Sequence, residues 1–498
     1  MSEQLVSKES ASKDLLLCAV HLAEGIRSAD ARTDAAEAIV PMLLTRGDVD
    51  LAAALADSVA DQLVRDRLLT ETAVRCISAG DGEYAIQLAE EVTDSSLRSH
   101  AFERIACAKI KKGEIEDGLS LMSRTEFPDE VIIAAYVEKT MTGVSDDELL
   151  ADLFLPYSRC LALQQSASCA FRDGKAAEAV AFLERAVVSA QDIDVAEERV
   201  RALTDIAHNL VDVGRRDLAI SALDAALKSS ESVETYHRPQ LLSGVAIGFF
   251  KAGSTELADQ VLDQVTDKTA IVTALLGFVG EHRAKAENED AVATLEEAFQ
   301  VIKGQAEKET RDTRAKFNQW RSVSVQLAEL GLAARSIEIA KEMPDADMRS
   351  DIFSQLALRF VVQPNSEANE AEALSGVLDQ SKKVFTLLGM SDEARKISND
   401  KSRALLERAA AEAESLEQLL ALVGFSRELC SRQFSNDMEA DARATAARCC
   451  SLIKDIRDEG MRAVALSELA AVYERLGKSP TSIEQKEMTA LLSAGNQA

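Results

Sequence analysis

The sequence predicts an all-α protein, an α-solenoid of stacked antiparallel helical hairpins. The first observation behind this prediction is the pattern of residues 201–227, which contains two amphipathic segments on either side of Gly214. Leu203, Ile206 and Leu210 share one helical face before the glycine, and a second apolar face follows it. Glycine enters the left-handed backbone region without Cβ strain, so Gly214 is predicted to end the first helix.

The second observation is that this spacing recurs along the chain. A small residue is followed seven positions later by Gly, and five positions after that by another small residue. Turn positions at 47, 80, 113, 143, 174, 214, 253, 286 and 331 therefore repeat every 30 to 45 residues, with Ala286 in the place of glycine. A period of this length predicts stacked helical hairpins. The clearest copies are Ala73/Gly80/Ala85, Ala106/Gly113/Gly118, Ala167/Gly174/Ala179, Ala246/Gly253/Ala258 and Ala470/Gly477/Ser482.

The pattern resembles the tetratricopeptide (TPR) repeat, a helix–turn–helix unit of about 34 residues. The resemblance covers roughly residues 33–345, and more weakly 440–485, and it implies a right-handed superhelix. The Trp and Tyr of the family are mostly aliphatic here, and some units are longer, so Sel1-type, HEAT and other α-solenoids remain open as subclasses. The matching positions in the best copy are Leu203 (large), Ala207 (small), Leu210 (the family's Tyr), Gly214 (turn), and Ala219 and Ala226 (second-helix Ala).

Three regions are expected. Residues 1–32 are predicted to form an N-terminal capping helix, residues 33–363 the TPR-like array, and residues 364–498 a C-terminal helical region with degenerate repeats and a disordered tail over the last dozen residues. The segment 361–372 contains Pro, Asn and Ser and interrupts the repeat period. The charged segment 303–316 extends its repeat either by a longer helix or by an added loop, and longer helices are preferred. Further helices are predicted at about 400–413, 415–434, 437–457 and 460–476.

Composition agrees with a helical protein in a reducing compartment. Aromatic residues make up 4% of the chain, hydrophobic residues 47%, and there are seven prolines. The N-terminus has no signal-peptide pattern, and the apolar stretch at 271–280 is too short to span a membrane. The eight cysteines lack C-x-x-C spacing, which is typical of buried thiols in the cytoplasm. For the neighbouring Cys449 and Cys450, ordinary packing is preferred over redox activity.

No catalytic, cofactor or metal site is predicted. The five histidines are dispersed, and no phosphate-binding or nucleophile motif is present. We therefore expect a protein that is not an enzyme. The formal net charge of −28 repels nucleic acid and anionic membranes.

The TPR resemblance implies that exposed first-helix residues line a concave surface that holds a partner protein or peptide. The net charge of −28 favours a partner of basic or mixed charge. The leading hypothesis is a cytoplasmic interaction scaffold. One alternative is a regulatory or sensor module that docks an enzyme or complex and has a separate function after residue 365; another is an enzyme with a site inside a closed ring of helices. The register places ten residues on the concave surface: Arg67, Thr70, His100, Glu103, Gln164, Arg201, Thr204, His208, Gln240 and Ser243.

Overall fold

The all-α prediction is confirmed. The computed structural model describes residues 4–144, 147–304 and 313–494, and in these ranges it contains 28 α-helices and no strand. In each hairpin the first helix has an odd number, from α3 to α27, and the second helix has the even number that follows. The helices are α1 (Lys8–Ala11), α2 (Leu15–Gly25), α3 (Ala29–Arg46), α4 (Val49–Asp57), α5 (Gln62–Ala79), α6 (Gly82–Glu91), α7 (Ser95–Lys111), α8 (Ile115–Ser120), α9 (Asp129–Met141), α10 (Asp147–Asp152), α11 (Pro156–Arg172), α12 (Ala176–Gln191), α13 (Ala196–Asp212), α14 (Arg216–Ser230), α15 (Arg238–Lys251), α16 (Thr255–Leu262), α17 (Lys268–Ala284), α18 (Asn288–Lys303), α19 (Thr313–Glu329), α20 (Ala333–Lys341), α21 (Ala346–Phe360), α22 (Glu367–Gly376), α23 (Gln380–Arg395), α24 (Asn399–Glu412), α25 (Leu419–Ser435), α26 (Glu439–Lys454), α27 (Glu459–Arg475) and α28 (Ser482–Ala494).

Gly214 ends the first helix of its hairpin as predicted. Its φ is +82°, and the amide of Arg215 donates to the carbonyl of Leu210 at 2.8 Å, which satisfies a carbonyl at the end of α13. The small residues Ala207 and Ala219 are fully buried where α13 packs against α14. The hairpin therefore closes through one left-handed residue and a close helix–helix contact.

The other predicted turn positions have the same backbone geometry. Ala286 has a φ of +61°, although it carries a Cβ. Asn365 (φ +55°) and Asp437 (φ +58°) occupy two further turns instead of glycine, so the glycine spacing does not mark these turns. The predicted interruption at 361–372 is the turn between α21 and α22. The remaining glycines with positive φ are Gly47, Gly80, Gly113, Gly143, Gly174, Gly253, Gly331 and Gly477.

Among the described residues, six of the loops that lead into a first helix share an arginine bond, which we call the carbonyl clamp. An arginine in the first or second turn of a first helix donates to the carbonyl of a buried apolar residue six positions earlier, in the preceding loop. Arg159, for example, donates to the Leu153 carbonyl at 2.7 Å. The clamp fixes the loop against the next helix with a charge-assisted bond. The six clamps are Arg32 to Ile26, Arg98 to Val92, Arg159 to Leu153, Arg199 to Ile193, Arg349 to Met343 and Arg462 to Ile456.

The helices group into two compact units. Unit 1 comprises Met1–Ala108, Ser123–Glu126 and Phe353–Ala498, and unit 2 comprises Lys109–Met122 and Phe127–Ile352. The boundaries at residues 32 and 363 were drawn from repeat quality rather than from contacts, and they stay a prediction.

Unit 1 contains helices from both ends of the sequence. Helices α2 and α3 pack against α27, and α2 also contacts α28. Arg46 of α3 and Glu474 of α27 form an ion pair at 3.3 Å across 428 sequence positions. Gly460 of α27 lies directly against α3, since a Cβ at this position would be 2.7 Å from the carbonyl oxygen of Ala31.

The C-terminal helices match the sequence prediction, but the expected disordered tail is wrong as far as residue 494. Helix α28 covers most of it and buries Met488, Leu491 and Leu492, so apolar packing orders the segment. Residues 495–498 lie outside the described residues. The question of a longer helix or a loop at 303–316 falls on residues 305–312, which also lie outside them. Among the described helices, none is long and apolar enough to span a membrane.

The turn geometry leads to a stability prediction. Gly214→Val places a β-branched residue at positive φ and should destabilise the protein by about 1–2 kcal/mol. Since a Cβ at 214 meets no atom within 4 Å, the cost is in the backbone alone. Ala286→Gly removes the same strain and should stabilise by up to about 1 kcal/mol. Urea unfolding followed by circular dichroism measures both, and an unchanged Gly214→Val midpoint would contradict this account of the turn.

The contact between α3 and α27 leads to a second stability prediction. Gly460→Ala brings a methyl group against the Ala31 backbone and should cost about 1–3 kcal/mol through overpacking. Hydrogen exchange should increase in α3 and α27. Gly280→Ala is the matched control, because this helical glycine of α17 has open space around it and alanine favours the helix. Equal exchange in both variants would show that α3 and α27 do not need this close contact.

Candidate interaction surface on the first helices

The ten residues predicted to line the concave surface differ in exposure. Each lies on a first helix, as expected from the register. Four are exposed, three are partly buried and three are buried. The exposed residues are Arg67, His100, Arg201 and Gln240. The partly buried residues are Glu103, Gln164 and His208, and the buried residues are Thr70, Thr204 and Ser243.

The prediction of exposure is wrong for Thr70, Thr204 and Ser243. Each hydroxyl donates to a backbone carbonyl of its own helix, three or four residues earlier, at 2.7–2.9 Å. This local bond satisfies the hydroxyl, so a small polar side chain can be buried between helices at little cost. These three side chains are therefore not accessible to a partner.

The exposed predicted residues of unit 1, Arg67 and His100, each lie beside an acidic side chain. Arg67 pairs with Glu37 of α3, which links two neighbouring first helices. His100 Nδ1 lies 4.0 Å from a carboxylate oxygen of Glu103 on the same helix. Both pairs include an exposed side chain, so they add little stability and remain accessible.

The predicted residues in unit 2 lie on three first helices that pack side by side. Helix α11 contacts α13, and α13 contacts α15. The Asn209 amide of α13 donates to the Gln164 side-chain carbonyl of α11 at 3.0 Å. The ammonium of Lys251 on α15 pairs with Asp212 on α13 at 2.6 Å. We call Gln164, Arg201, His208 and Gln240, joined through these cross-links, the first-helix surface. The linking residues Asn209, Asp212 and Lys251 were not predicted, although Asn209 directly follows His208 in the sequence.

His208 is the titratable group at the centre of this surface. Its Nε2 is buried and has no hydrogen-bond partner among the described atoms. Burial lowers the pKa of His208, the positive charge of Lys251 lowers it further, and Asp205, Asp212 and Glu281 oppose the shift. The imidazole is therefore neutral at pH 7.

A group of aromatic and ionisable side chains lies beside the turn between α17 and α18. Phe250 stacks on Phe278 with ring centroids 4.3 Å apart, and His282 meets the edge of the same stack at 5.1 Å. His282 Nδ1 is 2.8 Å from Glu287, and Asp290 lies within reach of the same point. The hydrogen bond between His282 and Glu287 accounts for this geometry and both carboxylates are exposed, so we assign no metal to the group.

Unit 1 contains a cavity of about 750 Å³ between α3, α25 and α27. Arg46 and Arg427 line it, and each is paired with acidic residues that also line it. The distances are 3.3 Å from Arg46 to Glu474 and 3.1 Å from Arg427 to Glu428. Because these pairs compensate the charge of both arginines, we assign no ligand to the cavity.

The cysteines are free thiols, and six of the eight are buried. Burial raises the pKa of Cys449 to about 12 and raises that of Cys450 well above its usual value. Both thiols are therefore protonated at pH 7, which makes them poor nucleophiles. The neighbouring pair is a packing feature of α26.

No family model matches the sequence, and no curated protein is significantly similar to it. Among solved structures, the chain is similar to Ton1535 from Thermococcus onnurineus NA1, with 15% identity over 70% of this chain and 97% of that one, and a TM-score of 0.24. It is also similar to PH0952 from Pyrococcus horikoshii, a signal transduction ATPase (STAND) protein with a tetratricopeptide repeat sensor. The identity is 12% over 78% of this chain and 54% of that one, with a TM-score of 0.25. A third match is the APC/C hetero-tetramer Cut9–Hcn1, with 11% identity over 93% of this chain and 99% of that one, and a TM-score of 0.21. Its own hairpins and turns show an all-α helical repeat fold that resembles the TPR arrangement.

The environment of His208 leads to a pH prediction. Its folded-state pKa is lowered, so below about pH 6.5 the unfolded chain binds more protons than the folded chain and stability falls as the pH drops. The substitution His208→Gln removes this contribution and should make the urea midpoint less dependent on pH between about pH 7 and pH 5. The wild type and the His208→Gln variant both keep the acidic neighbours of position 208, so a difference between them reports the imidazole. These neighbours are Asp205, Asp212 and Glu281. The control is His237→Gln at an exposed histidine, and an identical pH dependence in all three proteins would contradict the assignment.

Proposed function

We propose that the protein is a non-enzymatic scaffold that binds a partner protein or peptide on the first-helix surface of unit 2. The observation that supports it best is a row of accessible polar side chains on α11, α13 and α15, which contact one another in sequence order. Gln164, Arg201 and Gln240 each reach solvent from a different helix of this row. A partner lying across the helices would meet all three.

The helices that carry these side chains are held in place by independent contacts. Arg159 clamps the loop before α11, and Arg199 clamps the loop before α13. The pairs Asn209–Gln164 and Asp212–Lys251 then fix the helices against each other. A surface that is ordered before binding loses less conformational entropy when a partner arrives, which favours affinity.

Charge favours a basic or mixed-charge partner. The net charge is −28, and long-range attraction raises association rates for cationic proteins. Screening acts over about 8 Å at physiological ionic strength, so added salt should slow association. Arg201 is already paired with Glu197 at 2.6 Å and adds little positive potential of its own.

The test compares two triple variants in affinity capture followed by mass spectrometry. Gln164→Ala, Arg201→Ala and Gln240→Ala together remove the accessible side chains of the first-helix surface, and we expect them to abolish capture of proteins that the wild type retains. The matched control changes three exposed second-helix residues, Glu184→Ala, Asp224→Ala and Gln260→Ala, and should retain them. Melting temperatures should match across the three proteins.

Association rates with the captured partner, measured from low to high ionic strength, test the charge argument. We expect the rate to fall as salt is added. A rate that is flat or rises would exclude electrostatic steering. Equal capture by both triple variants would show that the first-helix surface does not bind the partner, and no specific capture by the wild type would count against a scaffold.

A further inference from the structure

Four consecutive first helices of unit 2 begin without the side-chain cap that is common elsewhere in the chain. Asp61, Asp267, Asp379 and Asp458 each accept a hydrogen bond from the backbone at the start of their helix, and Ser28 does the same. The residues that precede α9, α11, α13 and α15 are Pro128, Leu155, Val195 and His237, and none of them makes such a bond. A missing cap costs a helix about 1 kcal/mol.

Large apolar side chains are exposed at the same four helix starts. Phe154 is 86% exposed and Phe127 is 74% exposed. We call this set the apolar edge, and its members are Phe127, Phe154, Leu155, Tyr157, Val195 and Tyr236. Aromatic residues make up only 4% of the chain, so four exposed aromatic side chains on one edge are not expected from composition. Exposed apolar patches of this kind mark interaction sites.

The edge is not a consequence of a loose backbone. Leu153, directly before Phe154, is fully buried, and Arg159 donates to the carbonyls of Leu153 and Phe154 at 2.7 and 3.3 Å. The hydroxyl of Ser158 donates to Asp129 at 2.6 Å, which joins the first turn of α11 to that of α9. The backbone at Phe154 is therefore fixed, and its side chain is presented to solvent. An aromatic side chain has only two χ angles, so fixing it against a partner costs little conformational entropy.

The surroundings of the edge are acidic. The segments 127–132, 152–159, 192–199 and 231–238 contain nine acidic and three basic residues. Two of the basic residues, Arg159 and Arg199, already bind backbone carbonyls. Seven of the acidic residues are exposed: Glu130, Asp152, Asp192, Asp194, Glu198, Glu231 and Glu234. An apolar row with negative charge on its flanks matches a segment that has an apolar face and cationic flanks.

We propose that the apolar edge of unit 2 is a second docking surface, for a cationic amphipathic helix of another protein. Helices α9, α11, α13 and α15 contact each other in sequence order. Packed helices lie roughly 8–10 Å apart, so four helix starts extend over about 30 Å. A helix of about 20 residues has this length. The inference rests on the proposed function only in that both assign the chain a protein partner.

The test uses synthetic 20-residue peptides and the full chain. The first peptide is a fluorescein-labelled helix of Leu and Lys with the Leu on one face, the second replaces Lys with Glu, and the third replaces Leu with Ser. We expect fluorescence anisotropy to show tight binding of the Leu/Lys peptide only. Phe127→Ser with Phe154→Ser should weaken it by about tenfold or more. The matched control, Phe171→Ser with Val188→Ser, removes two exposed apolar side chains elsewhere in unit 2 and should leave binding within about twofold.

Several outcomes would overturn the proposal. These are equal binding by both double variants, equal binding of the Leu/Glu peptide, or no binding of the Leu/Lys peptide to the wild type. Self-association of the wild type that the Phe127/Phe154 variant abolishes would assign the edge to a second copy of the chain instead.

The triple variant of Gln164, Arg201 and Gln240 separates this proposal from the first-helix surface, because we expect it to bind the Leu/Lys peptide normally. If the triple variant loses the peptide and the Phe127/Phe154 variant keeps it, the apolar edge fails and the first-helix surface stands. Melting temperatures should be unchanged in all variants, since the changed side chains are exposed or partly buried.

Discussion

A single left-handed residue at the turn of a hairpin determines how its two helices meet. At Gly214 the chain reverses within three residues, and the Leu210 carbonyl still receives a hydrogen bond. Glycine adopts this geometry without strain, whereas Ala286 accepts a Cβ penalty at the same place in its own hairpin. The turn favours glycine at a fixed sequence distance from two apolar helix faces. This preference therefore appears in the sequence as a regular spacing. This is why the hairpins were predictable.

Six of the described loops that lead into a first helix contain a different interaction. The carbonyl clamp joins an arginine to a loop carbonyl six residues earlier, as Arg462 does with Ile456. Sequence reasoning missed it, although an apolar residue followed six positions later by Arg is visible in six repeats. A pattern of apolar periodicity reports which face of a helix is buried. It does not report a bond between a side chain and the backbone of a loop, whose path is determined by packing.

Side-chain exposure and long-range contacts were predicted less well. The register placed Thr70, Thr204 and Ser243 on first helices correctly, but it assumed that polar residues face water. The assumption fails for a hydroxyl that donates to a carbonyl of its own helix, because such a hydroxyl can be buried. The packing of α27 on α3 has only Gly460 as a local sign, since nothing periodic links residues 428 positions apart. These contacts also mean that the C-terminal helices share unit 1 with the first hairpins.

The places where a repeat departs from its own rules carry the most information about function. A cap at Leu155 would stabilise α11, and a polar residue at Phe154 would be more soluble, yet both positions are apolar and exposed. Arg159 holds this loop as other clamps hold theirs, so the exposed side chains do not result from a loose backbone. Local departures of this kind are expected at functional sites. The same departure recurs at four consecutive first helices that contact each other in order, α9 to α15, and a helical partner requires a row of this kind.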